Sequence, residues 1–282
     1  MSPRETAQLA LRGAYSVRKR LGLSLDEPLS PVAAAERLGI LVAFVDVPSL
    51  EGMYCHEKRT IVLSFHRPPG RRTFTCGHEL GHWYFEHGTS VDELKENVEE
   101  VEASPEERLA DSFARYLLLP PNSVRQALLT RGWSGDSLSA EQCYILASQF
   151  GVAFSAMLGH LRYAIGRIGD SSYELLRRQR PKDIRMRLAG VDSPHLVVVD
   201  RHWGGMPLDL EEGDLVRVPS DCRIDGSTTS LIGPAPGSSD AIFRAESRGL
   251  NTMRVPGASG PIVLRISPRR YKGFSTNRFS NS

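Results

Sequence analysis

The stretch His78-Glu79-Leu80-Gly81-His82 constrains this chain more tightly than any other five residues. Histidines four apart stack on one face only if the segment is helical. In that register two imidazoles can grip one ion from adjacent turns. Zinc takes nitrogen ligands at ~2.0–2.1 Å in a tetrahedron, and a catalytic site keeps one of its four positions for water. The ion lowers the pKa of that water to about 7 and polarises a scissile carbonyl. Glu79 sits beside His78 on the same side. It is the candidate general base, taking the water's proton and delivering it to the leaving amine. The bland alternative is a core or surface helix that happens to hold two histidines. It leaves Glu79 and the carboxylates downstream without a role.

Two histidines and a water make three ligands, so a fourth group must come from elsewhere. No third histidine follows at the H-E-x-x-H-x-x-G-x-x-H spacing. His87, five residues after His82, falls off the ligand face of a continuing helix and is expected to face solvent. The other source is a carboxylate from the following helix, where Glu99, Glu100, Glu102, Glu106, Glu107 and Asp111 are available. Leu109, Phe113, Tyr116 and Leu117 define an apolar face there, and Ala110 and Ala114 allow a close helix approach. Glu107 and Asp111 lie four apart on one flank of that face. Glu107, 107 − 82 = 25 residues after the second histidine, is the candidate third metal ligand. Asp111 is the candidate acceptor for a ring N–H from a ligand histidine. For most other members of the acidic run, a solvated loop is the better reading.

The flanking pattern is mixed. Thr6 to Leu21 and Val32 to Leu38 read as helices, the second opened by Ser30-Pro31 as cap and first turn. An apolar run covers Ile40 to Val47. Gly52 to Cys55 and Thr60 to Phe65 read as short strands around the turn His56 to Arg59. Pro68-Pro69-Gly70 breaks the chain, and Thr73 to His87 reads as the helix that carries the histidines. An acidic stretch from Asp92 to Glu107 leads to a helix over Pro105 to Leu119, stopped at Pro120-Pro121.

These residues resemble the ImmA/IrrE family of metallo-endopeptidases. The resemblance is carried by Phe74-Thr75-Cys76-Gly77-His78-Glu79-Leu80-Gly81-His82, by Glu107-Arg108-Leu109-Ala110-Asp111-Ser112-Phe113-Ala114 and by Leu117-Leu118-Leu119-Pro120. Glu51-Gly52-Met53-Tyr54 and Ile61-Val62-Leu63-Ser64 match its preceding hairpin. It covers about residues 30 to 165. It implies zinc on His78, His82 and Glu107, with Glu79 as the base. The family usually has Asn where Asp111 stands and Met where Leu119 stands. Its characterised members cleave a partner transcriptional repressor inside bacterial cells, so the resemblance implies a regulatory endopeptidase with a narrow protein substrate, a helix-turn-helix repressor.

The sequence reads as an α+β multidomain chain. Residues 1–126 form a small zincin-like metallopeptidase domain, helices with a short β-sheet. Residues 127–190 form a helix-turn-helix-like helical segment and a basic linker over Arg177 to Arg187. One helix opens at Ser139-Ala140-Glu141 and ends near Phe150-Gly151, and a second runs from Ser155 to Ile168. Residues 191–268 hold short strand-like runs such as HLVVVD, DLVRVP and PIVLRIS, expected to form a small antiparallel barrel or sandwich. Residues 269–282 are basic, Ser/Asn-rich and expected to be a disordered tail.

Composition adds exclusions. The 282 residues carry a formal net charge of +2, too little to argue for nucleic acid or membrane partners. The second helix of the helix-turn-helix-like pair offers only His160, Arg162 and Arg167 as polar contacts, so packing is the better reading of it and DNA binding by the chain alone is not expected. Cys55, Cys76, Cys143 and Cys222 are scattered, with no C-x-x-C pair. The N-terminus lacks the apolar core of a signal peptide, and no run of ~18 apolar residues occurs. The expectation is a cytoplasmic enzyme with one Zn2+ per chain, Mn2+ being its alternative in the cell. The competing reading is a DNA-binding or antitoxin-type regulator whose metal site is structural or vestigial.

Overall fold

The computed structural model describes residues 1–25, 27–93, 104–133, 137–258 and 260–280. The chain divides into two compact units, residues 1–123 with 270–275 and residues 124–269 with 276–282. In the first unit, α1 spans Pro3–Arg20. It opens on a capping box in which Ser2 Oγ accepts from the Glu5 N–H and the Glu5 carboxylate accepts from the Ser2 N–H. α2, Pro31–Arg37, is capped by Ser30 with Pro31 in its first turn. Three strands follow: β1, Leu41–Val45, β2, Leu50–Cys55, and β3, Thr60–Ser64. β3 is central, parallel to β1 and antiparallel to β2.

α3, Pro69–Tyr84, carries the histidine pair. It begins four residues before the expected Thr73. The Pro68-Pro69 pair starts the helix instead of breaking the chain, because a proline at the first helical position lacks only an N–H that would have no helical partner. The acidic stretch also begins differently from the expected loop. Ser90–Glu93 form β4, paired antiparallel with β2 at the sheet edge. Asp and Glu are depleted in strands, so only the pairing partner reveals it. α4, Pro105–Leu118, comes next, and α5, Pro121–Thr130, crosses from the first unit into the second.

α3 and α4 pack through small residues. A Cβ added at Gly81 would lie 3.0 Å from Ala110 Cα, and one at Gly77 would lie 3.4 Å from Ala114 Cβ. On its other side α3 meets β2 at Gly52, where a Cβ would come within 2.8 Å of Glu79 Oε1 and 2.3 Å of Thr75 Cγ2. The buried face of α4 is Leu109, Ala110, Phe113, Ala114, Leu117 and Leu118. α1 supports α4 through Arg18, which is fully buried. Its Nε and Nη2 donate to Leu117 O at 3.0 and 2.7 Å, and its Nη1 donates to Ser24 O and Glu27 O. The guanidinium thus sits at the carbonyl end of α4, where helix carbonyls lack helical partners and the dipole is negative.

The second unit begins with helices: α6, Ala140–Gln149, α7, Phe154–Gly159, α8, Asp170–Arg177, and α9, Pro181–Ala189. α6 and the helix that follows it are bent by 105°, across a turn in which Gly151 adopts φ 64°. α7 opens at Phe154, one residue before the expected start, and runs on into a π-helical turn, His160–Ala164. The basic linker expected over Arg177 to Arg187 is largely helical. Leu176, Ile184, Leu188 and Ala189 are buried there, and that burial outweighs the polar composition. No single described helix is long and apolar enough to cross a membrane.

Eight strands follow among the described residues of the unit: β5, Leu196–Val198, β6, Leu208–Glu211, β7, Leu215–Val218, β8, Arg223–Asp225, β9, Thr229–Pro234, β10, Ala241–Ala245, β11, Gly249–Arg254, and β12, Ile262–Ser267. They form two four-stranded sheets, β5-β7-β10-β9 and β6-β12-β11-β8. One core takes Val197, Val216 and Val218 from the first sheet and Leu210, Met253, Leu264 and Ile266 from the second. The expected antiparallel order is corrected, since β5–β7 and β6–β12 pair parallel.

The expected disordered tail is also corrected. Gly273–Phe274 form β13, which returns to the first unit and adds antiparallel to the free edge of β1. Tyr271 packs edge-on against Phe44 with ring centroids 6.3 Å apart. Ser275 Oγ donates to Glu36 Oε1 at 2.5 Å. Composition misses this because one aromatic pair and two strand residues hold the segment.

Arg18 offers a direct test of this frame. Arg18→Met is expected to cost about 3 kcal/mol or more, because it strips buried carbonyls of their donors. Urea midpoints measure it. A loss below about 0.5 kcal/mol, the range of ordinary surface changes, would show that Arg18 does not hold α4 in place.

Candidate metal centre

Helical spacing brings His78 and His82 together on the buried face of α3. Their Nε2 atoms lie 2.9 Å apart. Glu107, in the first turn of α4, places Oε2 3.2 Å from His78 Nε2 and Oε1 3.3 Å from His82 Nε2. Bonds of ~2.0–2.1 Å to one zinc put tetrahedral donors about 3.3 Å apart, so the three donors fit such an ion. One ligand atom from each residue lies within 4.8 Å of the others. Ser104 caps α4 by accepting from the Glu107 N–H at 3.1 Å, which fixes the turn that presents Glu107. Among the other carboxylates considered, Glu99, Glu100 and Glu102 lie outside the described residues.

Asp111, one turn after Glu107, places Oδ1 2.9 Å from His78 Nδ1, the contact its spacing suggested. Glu79 is fully buried. Its Oε2 accepts from Ser90 Oγ at 2.8 Å, while Oε1 has no hydrogen-bond partner among the described residues. Ser90 and Asp92 come from β4, two residues apart and so on one face of the strand. Asp92 Oδ2 lies 3.2 Å from His78 Nε2. Sequence reasoning gave neither residue a role, because only strand pairing aims them at α3. His87, expected in solvent, is half-buried, and its Nδ1 lies 3.0 Å from His82 Nδ1. The expectation assumed that the helix continues to His87, but α3 stops at Tyr84.

Carboxylates from two elements, β4 and α4, face His78. Burial pulls the His78 imidazolium down, but hydrogen bonds to Asp111, Asp92 and Glu107 outweigh it and push its pKa up to about 12. In the metal-free protein a proton on His78 therefore supplies the positive charge. Glu107 is held below the usual carboxylate range by its hydrogen bonds to His78 and His82. Burial, then the negative charge of Asp92, raises Glu79 to about 8, against the opposing pull of His78 and Ser90. His87 is lowered by burial, with the charge of His82 adding to it.

Residues 35–161 match the family model of the M78 peptidases described as the IrrE N-terminal-like domain. The match spans the hairpin, α3 and α4, and it bears out the resemblance to ImmA/IrrE proteins. No curated protein matches the chain. Among solved structures, a Mycobacterium tuberculosis transcriptional regulator is similar with a TM-score of 0.37 and 16% identity, over 57% of this chain and 52% of that one. The chain thus spans about half the length of that regulator.

The raised pKa of Glu79 has a consequence for stability. In the metal-free protein the folded carboxyl holds its proton up to about pH 8, whereas the ordinary value is 4.5. The unfolded chain releases that proton first, so the contribution of Glu79 is full below pH 4.5 and is lost as pH rises towards 8. Metal-free Glu79→Gln is therefore expected to gain on the wild type in urea midpoint between pH 5 and pH 8. A wild type that gains on the variant over that range would reverse the sign.

Proposed function

We propose that this chain is a zinc-dependent endopeptidase that cleaves a specific regulatory protein, a helix-turn-helix transcriptional repressor, in the cytoplasm. One observation carries the reading: the donors of His78, His82 and Glu107 converge, and Glu79, next to His78 on the same helix, has a buried Oε1 with no hydrogen-bond partner among the described residues. A structural zinc site is closed by four protein ligands and needs no such oxygen. The repressor substrate rests on the ImmA/IrrE resemblance alone.

His78, His82 and Glu107 are the residues that would hold the ion. When bound, zinc supplies a Lewis acid that polarises the scissile carbonyl and acidifies water. Asp111 accepts a hydrogen bond from the Nδ1–H of His78, which fixes the tautomer and leaves Nε2 as a ligand lone pair. Ser90 ties down Oε2 of Glu79 and leaves Oε1 free to accept a proton from the attacking water and return it to the leaving amine. The high pKa of His78 means that metal uptake at neutral pH displaces a proton, so affinity rises with pH.

The DNA-binding reading finds less support. His160 is fully buried, and Arg162 is ion-paired with Asp170. Neither presents a free basic group for the phosphate contacts that dominate DNA affinity.

Glu79→Gln is expected to keep zinc at one per chain and to slow cleavage by ~10²–10⁴-fold, the usual worth of a general base. Glu107→Ala and His78→Ala are expected to lose the metal as well as activity. Elemental analysis reads the first property. Cleavage of the partner that co-purifies with Glu79→Gln reads the second. Wild-type cleavage rates in Glu79→Gln, or unchanged zinc in Glu107→Ala, would sink the proposal.

A further inference from the structure

The end of α3 is built to return the chain onto a metal-facing histidine. Phe85 is the C-cap, and Glu86 follows at φ 58°, a left-handed conformation that only glycine adopts without strain. The Glu86 N–H donates to Trp83 O at 3.3 Å and the His87 N–H donates to His82 O at 3.1 Å. These are the paired bonds of a Schellman turn, which folds the second residue past the cap back over the helix's last full turn. Here that residue is His87, and the residue beneath it is His82. The side chains meet as the backbones do, Nδ1 to Nδ1 at 3.0 Å, with the rings edge-on at 5.1 Å. Phe85 stacks on the outer face of the His87 ring at 5.8 Å and 21°.

We propose that His87 is a positioning residue for His82, holding its Nδ1–H so that Nε2 is presented to the ion as a lone pair. The proposal rests on the metal-site reading above. His82 Nε2 faces Glu107 and His78, so in the loaded site its proton belongs on Nδ1. The group at 3.0 Å must then accept, which places the His87 proton on Nε2. The two ligand histidines are thus held from behind by different chemistry, His78 by the Asp111 carboxylate and His82 by a neutral imidazole. A neutral acceptor adds no fifth negative charge to a site already ringed by Glu79, Asp92, Glu107 and Asp111. It also accounts for a non-glycine residue strained into the left-handed region at Glu86.

The test compares His87→Phe with His87→Asn in full-length protein. Phe keeps a ring but cannot accept a proton, whereas the Asn Oδ1 stands close to the place of Nδ1. Zinc affinity is measured by chelator competition, and the His82 tautomer by nitrogen NMR on histidine-labelled, zinc-loaded protein. His87→Phe is expected to bind zinc about 10- to 100-fold more weakly, the usual loss for a group behind a ligand histidine, and to lose the protected Nδ1–H signal. His87→Asn should keep both. If the Phe ring prevents folding, His87→Ala carries the same contrast. Wild-type affinity and an unchanged tautomer in His87→Phe would overturn the proposal while leaving the metal site standing. A wild type that takes up no zinc would instead sink the metal reading, and this inference with it.

Discussion

The contact on which the site depends is the one between α3 and α4, where Gly77 faces Ala114 and Gly81 lies so close to Ala110 that an added Cβ would come within 3.0 Å of its Cα. Interhelical distance is set by the residues at the contact. A single β-carbon at Gly81 would press on the α4 backbone and push Glu107 away from the two imidazoles. Close approach alone would leave α4 free to slide along its axis. Arg18 counters this from the far end, gripping the Leu117 carbonyl, while Ser104 fixes the near end by capping the turn that carries Glu107. The Glu107 carboxylate is thus held by a cap, a packing seam and a buried cation.

Charge explains why such a frame is needed. Glu79, Asp92, Glu107 and Asp111 gather around two imidazoles, and without a cation they repel one another. In the metal-free protein the proton on His78 relieves part of that repulsion and Glu79 relieves more by staying protonated. A divalent ion bound there would do the same work with fewer protons, which would link occupancy, protonation and stability at one place. Gly52 contributes sterically. It lets β2 come close over Glu79, which is buried with one oxygen that has no hydrogen-bond partner among the described residues.

The second unit is organised differently. Its sheets share one apolar core, and its helical part is fastened by polar contacts such as the Tyr144 hydroxyl, which donates to Leu196 O at 2.8 Å, and the Arg131–Asp200 pair at 2.7 Å. The family match ends at residue 161, so the two sheets lie outside it.

How much of this was legible in the sequence follows from the range of each interaction. The pairing of His78 with His82 and the flank that Glu107 shares with Asp111 follow from helical period, which is local and survives in one dimension, whereas the packing of α3 on α4 decides that Asp111 meets His78. The small residues Ala110 and Ala114 are visible for the same reason, whereas the role of Gly77 and Gly81 opposite them appears only in the packed pair. The sequence also carries the hairpin of β2 and β3, since its turn is short. It could not reveal β4, whose Ser, Val, Asp and Glu become a strand only because β2 offers an edge, nor therefore the reach of Ser90 and Asp92 into the site. β13 is two residues long and depends on β1, which lies some 230 residues earlier by its number. The parallel pairs β5–β7 and β6–β12 are likewise non-local. His87 is the sharpest case. Helical period aims it at solvent, and only a left-handed turn at a non-glycine residue, chosen by tertiary packing over local preference, brings it back to His82.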